Sequence, residues 1–410
     1  MKNRAPYLTN FQVDLCCGCR ACEQSCPKKA INMAHNIEGF LYPIVDEDIC
    51  INCGICDKVC PISHDIKYKT DSLKVYAAYN LNRQDRKKSS SGGIFIAIAK
   101  EILNRKGVVY GAAFDNNLNL CHIGVNNELN LEKLLGSKYV QSDTLDTFRK
   151  IKQDLIENKW VYFVGTPCQV AGLKAFLKKE YDRLITSDLV CHGVPSIKIF
   201  KLFVGALEKK WLGKIIDYRF RDKRVNGWSC SSSALSISQK GKEQEHMYDK
   251  IMNSYQTAFL SSNINREVCY KCPFACKKRC GDITIADYWG IKTVFPNIDY
   301  RDGVSVISLN TNKAINFFND IKEELYLCES QYEVAAKAGG NHQMIHPSIR
   351  PKYRDYAYDD AFSNPNKFIS QFYSKHEAKN HLIFCIKKII KSNEFIYKCF
   401  KRIKSLINKI

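Results

Sequence analysis

The chain has 410 residues, 45% of them hydrophobic and 25% charged, a globular rather than disordered composition with room for two or three domains. No apolar run reaches the roughly 18 residues of a membrane span, and the opening MKNRAPYLTNFQVD lacks a signal-peptide core, so a cytoplasmic location is expected. Twenty cysteines in that reducing compartment point to metal or iron–sulfur ligation instead of disulfides, and a formal charge of +20 suits acidic redox partners or anionic cofactors.

Residues 1–70 hold nine of the cysteines in two repeats: Cys16, Cys19, Cys22 and Cys26 before Pro27, then Cys50, Cys53, Cys56 and Cys60 before Pro61. Three thiolates at three-residue spacing can wrap one iron–sulfur cube, and the fourth, followed by proline, reaches the other. The expected ligands are therefore Cys16, Cys19, Cys22 and Cys60 for one [4Fe-4S] cluster, and Cys50, Cys53, Cys56 and Cys26 for a second. Gly18 and Gly54 relieve crowding where the backbone curls round each site. Zinc is the competing metal, but zinc knuckles do not need a duplicated eight-thiolate pattern. Cys17 is left over, either as a small buried side chain or as a substitute for Cys16 if the loop slips by one residue. The stretch resembles a bacterial two-cluster ferredoxin, which implies an α+β domain.

Residues 71–210 read as α/β. Apolar runs at 108–114, 160–164 and 184–190 predict strands with helical patterns between them, and hence a largely parallel sheet. Ser89, Ser90, Ser91, Gly92 and Gly93 precede a helical stretch at 94–103. That arrangement can form a nest of backbone donors for a phosphate, with Lys87 and Lys88 beside it; an ordinary helix cap is the alternative. Cys168 and Cys191 each follow a predicted strand. Parallel strands end on one side of a sheet, where ligands sit, so these two thiols are expected to be neighbours.

Residues 211–370 read as mixed. Alternating strands are expected around 230–238, a strand at 304–309 and a helix from Lys313. Cys269, Cys272, Cys276 and Cys280 lie between them. A third [4Fe-4S] cluster is expected, held by Cys168, Cys191, Cys269 and Cys272, with the four local cysteines as the alternative set. Lys277, Lys278 and Arg279 would offset the negative charge of either. Residues 371–410 form a basic tail. From Lys375 onward it carries ten Lys/Arg against two Glu, with Leu382, Ile386, Ile389, Ile396, Phe400, Ile403, Ile407 and Ile410 at helical spacing. An amphipathic helix is expected there, packing on protein or peripherally on an anionic membrane.

GSKYVQS at 136–142, GTPCQVAGLK at 165–174 and DLVCHGVPS at 188–196 resemble the beta-subunit family of coenzyme F420 hydrogenases and dehydrogenases. FRDKRVNGW at 220–228 and CYKCPFACKKRCGDITIADYWG at 269–290 extend the resemblance over roughly residues 1–370. It implies a mixed α/β flavin and iron–sulfur domain, with 71–210 and 211–370 as its two parts. It further implies FAD beside a cluster, and F420 or another small organic molecule as substrate. Ser90, Ser91, Gly92 and Gly93 are the candidate flavin contacts, together with Lys138 and Tyr139. Asn226, Gly227 and Trp228 would line the redox pocket, and Asp287 would fix a loop near the cluster. His192, whose ordinary pKa lies near neutrality, is the candidate catalytic proton donor, with a structural role as its alternative.

The expected function is a flavin-dependent iron–sulfur oxidoreductase that works with a redox partner protein or subunit, as a homo-oligomer or in a complex. A noncatalytic electron-transfer subunit is the competitor. An iron–sulfur nucleic-acid-binding module is a third reading, but the chain carries no reading motif or aromatic-lined groove, and no specific nucleic acid is expected.

Overall fold

The computed structural model describes residues 8, 13–63 and 70–373; the amphipathic tail expected at 371–410 lies almost wholly outside them. Residues 13–63 form a small α+β unit. Helix Ala21–Ser25 leads into an antiparallel hairpin of β1 (Ile31–His35) and β2 (Leu41–Val45), and helix Ile55–Lys58 follows. The two ligand loops enter their helices through left-handed residues, Arg20 (φ 61°) and Gly54 (φ 71°). Gly18 is needed for space as well as for its φ of 69°. A Cβ there would come within 2.8 Å of Gln141 and 2.9 Å of Arg266, whereas Gly54 faces open space.

The larger unit is built on an eight-stranded sheet. Its strands are β3 (Lys74–Asn80), β4 (Val108–Phe114), β5 (Leu120–Val125), β6 (Val161–Gly165), β7 (Leu184–Leu189), β11 (Ile283–Asp287), β12 (Ser305–Leu309) and β13 (Leu325–Ser330). In space they run β13-β3-β12-β11-β7-β6-β4-β5. The intervening β8 (Gly213–Arg219), β9 (Ser233–Ser238) and β10 (Glu243–Met247) form a separate antiparallel sheet. Only the central strands β4, β6, β7 and β11 are parallel; β5, β12, β3 and β13 pair antiparallel at the flanks. The three strands expected from the apolar runs thus pair in parallel, and the antiparallel flanks make the whole sheet mixed. The apolar runs identified the buried strands, but the sense of long-range pairing is set by partners far away in sequence.

Helices cover both faces. Ile94–Asn104 and Asn312–Asn319 close one apolar layer with β3, β4 and β12. Pro167–Leu177 and Thr147–Ile156 close the other, and Cys17, Cys19, Cys168, Cys269 and Cys272 pack into that same cluster. The cysteine-rich N-terminal unit is thereby seated against the larger one through the core that carries the second group of thiols. Among the described residues, no helix is long and apolar enough to cross a membrane.

Candidate functional site

Beyond the carboxyl ends of β4, β6, β7 and β11 lies a cavity of about 370 Å³, where open α/β sheets bind ligands. Its walls come from residues 89–91 and 93–95, from 134–142, and from the strand-end segments 164–166, 168–169, 189–194 and 285–287. Cys17 reaches it from the N-terminal unit.

Cys168 follows β6 because Pro167 starts a helix at the first position, where its missing N–H costs nothing, and Gln169 Oε1 accepts the Thr166 N–H at 3.0 Å. Cys191 follows β7. Burial and the neighbouring Cys168 and Cys272 push the Cys191 thiol up to about 12, while Arg279 pulls the other way. Cys272 is likewise pushed up to about 12 by burial and then by Cys168. Cys269 is raised well above its ordinary value by burial, then by Cys191, Cys272 and Cys168. The charges of Cys168, Cys191, Cys269 and Cys272 thus act on one another, although among the described residues no three His, Cys, Asp or Glu form a group that could hold a metal ion. Of the alternative local set, Cys276 turns its thiol to the carbonyls of Pro273 and Lys278, while the buried Cys280 has its N–H bound by Asp188. Lys277 makes an exposed ion pair with Glu333, and Arg279 is buried against Asp188 at 3.0 Å.

In the N-terminal unit, Cys22 is raised by burial first, then by the charges of Cys16 and Cys60, and last by that of Cys56 in the second repeat. Cys56 is raised by burial and by Cys53 and Cys50. Cys26 accepts the Ala30 N–H at 3.3 Å. Among the described residues, no group of three or more His, Cys, Asp or Glu gathers round a point where a metal ion would sit.

A residue that sequence spacing does not flag joins the two regions. Arg266 is fully buried and donates to the carbonyls of Cys16 (2.6 Å) and Leu41 (2.8 Å) and to Gln141 Oε1 (3.0 Å). Its charge opposes the rise at both Cys16 and Cys168. Its signal in the sequence is only that it sits three positions before Cys269.

The candidate flavin contacts separate into layers. Ser90, Ser91, Gly93, Lys138 and Tyr139 line the cavity. Ser90 Oγ accepts the Ser137 N–H at 2.7 Å, tying the serine loop to the Lys138 segment. Lys138 Nζ donates to the carbonyls of Leu135 and Gly136, and desolvation lowers its pKa to about 7. It is half-buried and borders the cavity. Gly92 lies behind the wall, where a Cβ would meet the Ala78 carbonyl at 2.5 Å and Ser305 N at 2.8 Å. Gly92→Ala is therefore expected to destabilise the fold by about 1–3 kcal/mol through overpacking, read as a lower thermal midpoint. An unchanged midpoint would show that the loop is free to move away from β3 and β12.

Asn226 and Gly227 are exposed at the end of helix Lys223–Asn226 and do not border the cavity. The same motif acts through its first half. Arg221 donates to the Ser90 carbonyl at 3.0 Å and to Asp287 at 2.8 Å, and Lys223 donates to the carbonyls of Arg86 and Ser91 at 2.7 Å. These cations pin the serine loop in shape. Trp228 stands one layer back, its indole N–H on Asp287 at 2.7 Å and its ring stacked 4.8 Å from Trp289, which does border the cavity.

His192 borders the cavity, yet both ring nitrogens are engaged, one with Ser262 Oγ at 3.0 Å and the other with Gln343 Nε2 at 2.9 Å. An amide nitrogen only donates, so it holds Nδ1 unprotonated, and desolvation followed by His342 lowers the ring's pKa. Both ring nitrogens thus have protein partners, and burial favours the neutral ring. A second cavity histidine, His122, is held between Ser142 and the Val164 carbonyl, with its pKa lowered by burial to about 4.

Residues 15–63 match the 4Fe-4S dicluster domain, and residues 158–334 match the family described as the C terminus of the coenzyme F420 hydrogenase/dehydrogenase beta subunit. One similar solved chain comes from a study of xenon derivatization of the F420-reducing [NiFe] hydrogenase complex from Methanosarcina barkeri. It is 13% identical, with a TM-score of 0.44, over 74% of this chain and 97% of that one. No curated protein matches the chain.

Proposed function

We propose that this chain, which matches the C terminus of the coenzyme F420 hydrogenase/dehydrogenase beta subunit over residues 158–334 and a 4Fe-4S dicluster domain over residues 15–63, is a member of that beta-subunit family and a flavin-dependent iron–sulfur oxidoreductase. In this reading the repeated N-terminal cysteines hold two [4Fe-4S] clusters, Cys168, Cys191, Cys269 and Cys272 hold a third, and the cavity takes FAD. The clusters supply one-electron transfer, and FAD supplies the interchange with a hydride given to or taken from F420 or another organic substrate. A redox partner protein or subunit would meet the N-terminal unit.

The observation that carries the reading is the shared crevice: Cys168 and Cys191 border the same cavity as the serine loop and Lys138. The donor chemistry fits. Four thiols with no hard oxygen ligand among them suit iron–sulfur ligation, and the buried Arg279 and Arg266 offset the anionic charge of such a centre. The cavity falls in the size range of small-molecule sites, and helix Ile94–Asn104 directs its N-terminus, through Gly93 and Ile94, at the cavity wall. The chain's own residues then divide the work. Arg221 and Lys223 hold the loop, Lys138 presents a cation to a phosphate, and the strand-end apolar side chains exclude water.

Lys138 carries its charge below about pH 7 and loses it above. An anionic ligand favours the charged form, so FAD affinity is expected to fall as pH rises through neutrality. Lys138→Met should weaken binding by roughly 1.5–3 kcal/mol and flatten that dependence. Flavin fluorescence titrations on either side of neutrality measure both effects. The reading as a whole is tested by anaerobic purification, flavin extraction and reduction with a low-potential ferredoxin. Bleaching of a flavin band is the expected result, and a chain still flavin-free after reconstitution with FAD would overturn it.

A further inference from the structure

A second cavity, of about 400 Å³, opens at the seam between the N-terminal unit and the larger one and shares no wall residue with the first. Helix Ala21–Ser25 supplies Gln24 and Ser25, helix Thr147–Ile156 supplies Arg149 and Lys152, and Lys178 follows the end of helix Pro167–Leu177. Gln24 is 5% exposed, and its Oε1 accepts the N–H groups of Phe148 at 3.0 Å and Arg149 at 3.3 Å, which fixes the orientation of the amide. Its Nε2 and the Ser25 Oγ are then buried donors with no hydrogen-bond partner among the described residues, a costly state for a polar group. The charge of the wall is as one-sided as its hydrogen bonding. Arg149, Lys152 and Lys178 make no ion pair among the described residues, and no carboxylate borders the cavity. Arg149 is held in place by donating to the Gln24 and Glu23 carbonyls at 2.9 and 3.3 Å, and the Lys152 ammonium lies 5.9 Å from the centre of the Phe176 ring.

We propose that this cavity binds a small organic phosphate monoester. A phosphate group brings several strong acceptor oxygens and close to two negative charges, which suits a wall of three cations and two unpaired neutral donors better than a single carboxylate does. Phe176, Leu177 and Ile156 give the same cavity an apolar side for the organic part, and its volume is that of a small-molecule site, larger than a bare ion needs. Binding supplies Gln24 Nε2 and Ser25 Oγ with acceptors and relieves the mutual repulsion of the three cations, and a neutral ligand would do only the first. The site takes no part in electron transfer, so it stands or falls independently of what the cysteines hold.

The test is calorimetric titration of the full chain with phenyl phosphate and, separately, with inorganic phosphate. The proteins compared are wild type, Lys152→Gln, Lys178→Gln, Ser25→Ala and Lys138→Met, the last altering only the first cavity. A saturable isotherm with phenyl phosphate is expected, with inorganic phosphate binding more weakly and both affinities falling as salt is added. Each of the Lys152 and Lys178 variants should lose roughly tenfold in affinity and Ser25→Ala roughly threefold, at unchanged thermal midpoints, while Lys138→Met binds as wild type does. Unchanged affinity in both Lys152→Gln and Lys178→Gln would overturn the site, as would loss of binding in Lys138→Met, which would put the phosphate in the first cavity. Inorganic phosphate binding as tightly as the ester would overturn the organic part of the ligand. Displacement of phenyl phosphate by a lower concentration of tetraglutamate would overturn the phosphate itself and give the three cations to an acidic protein instead.

Discussion

Replacing Asp188 with alanine is expected to destabilise the larger unit by about 3–5 kcal/mol and to release the segment after Cys272 from the strand that leads to Cys191. Asp188 is fully buried near the end of β7, three residues before Cys191. One carboxylate oxygen accepts from Thr284 Oγ1 at 2.6 Å and from the Arg279 guanidinium at 3.0 Å. The other accepts the backbone N–H groups of Cys280 and Gly281, each at 3.0 Å. This one side chain therefore fastens the segment that follows Cys269 and Cys272 onto the strand that delivers Cys191. Without it, Arg279 is left as a buried charge with its main partner gone, and two backbone donors lose their acceptor. Iron content and the thermal midpoint should fall together in Asp188→Ala. Asp188→Asn, which keeps one acceptor oxygen, should fall between that variant and wild type. A stable Asp188→Ala protein with full iron would show that the packing of the sheet alone holds the thiols in place.

The second large effect is expected at Arg266. Arg266→Met removes hydrogen bonds to three acceptors on two parts of the molecule and the contact 4.1 Å over the Tyr42 ring. Each buried acceptor left unpaired costs about 1–3 kcal/mol, so a loss of roughly 3 kcal/mol or more is expected at the junction. Other ties there include the Arg20–Asp143 ion pair, the Gln141 amide on the Cys17 carbonyl, the Thr144 hydroxyl on the Cys19 carbonyl, the Arg149–Gln24 hydrogen bond and the Arg354–Glu38 pair. Local opening should therefore increase more than global unfolding. Hydrogen exchange of the Cys16–Arg20 amides should quicken by roughly two orders of magnitude, while exchange in β6 and β7 changes little. Reduction potentials at both adjoining sites should move to more negative values, since a fixed positive charge that favours the reduced form has gone. Exchange rates equal to wild type would mean that the other ties suffice.

Much of this arrangement is written locally. The apolar runs of β4, β6 and β7 are long enough and sufficiently free of charge to be read as buried parallel strands. Once they are parallel, the segments after β6 and β7 must meet, and Cys168 and Cys191 go with them. The antiparallel flanks were not legible, because the pairing of β12 with β3 joins residues more than 200 positions apart and leaves no mark on either strand's alternation. FRDKRVNGW is a recognisable motif, but a motif does not state its direction. Arg221 and Lys223 face the serine loop, while Asn226 and Gly227 turn to solvent once Gly227, at φ 67°, ends the short helix. Arg266 was equally silent: a lone arginine near cysteines looks like surface charge until Cys16, 250 residues earlier, is folded against it.

The central claim is that Cys168, Cys191, Cys269 and Cys272 form one ligand set distinct from the N-terminal repeats. It is tested most directly by counting iron in an anaerobically prepared Cys191→Ala, Cys272→Ala double variant and recording its EPR spectrum beside that of the wild type. The account predicts the loss of one cluster's iron while the signals of the N-terminal pair persist. Iron content equal to wild type, with every signal retained, would contradict it.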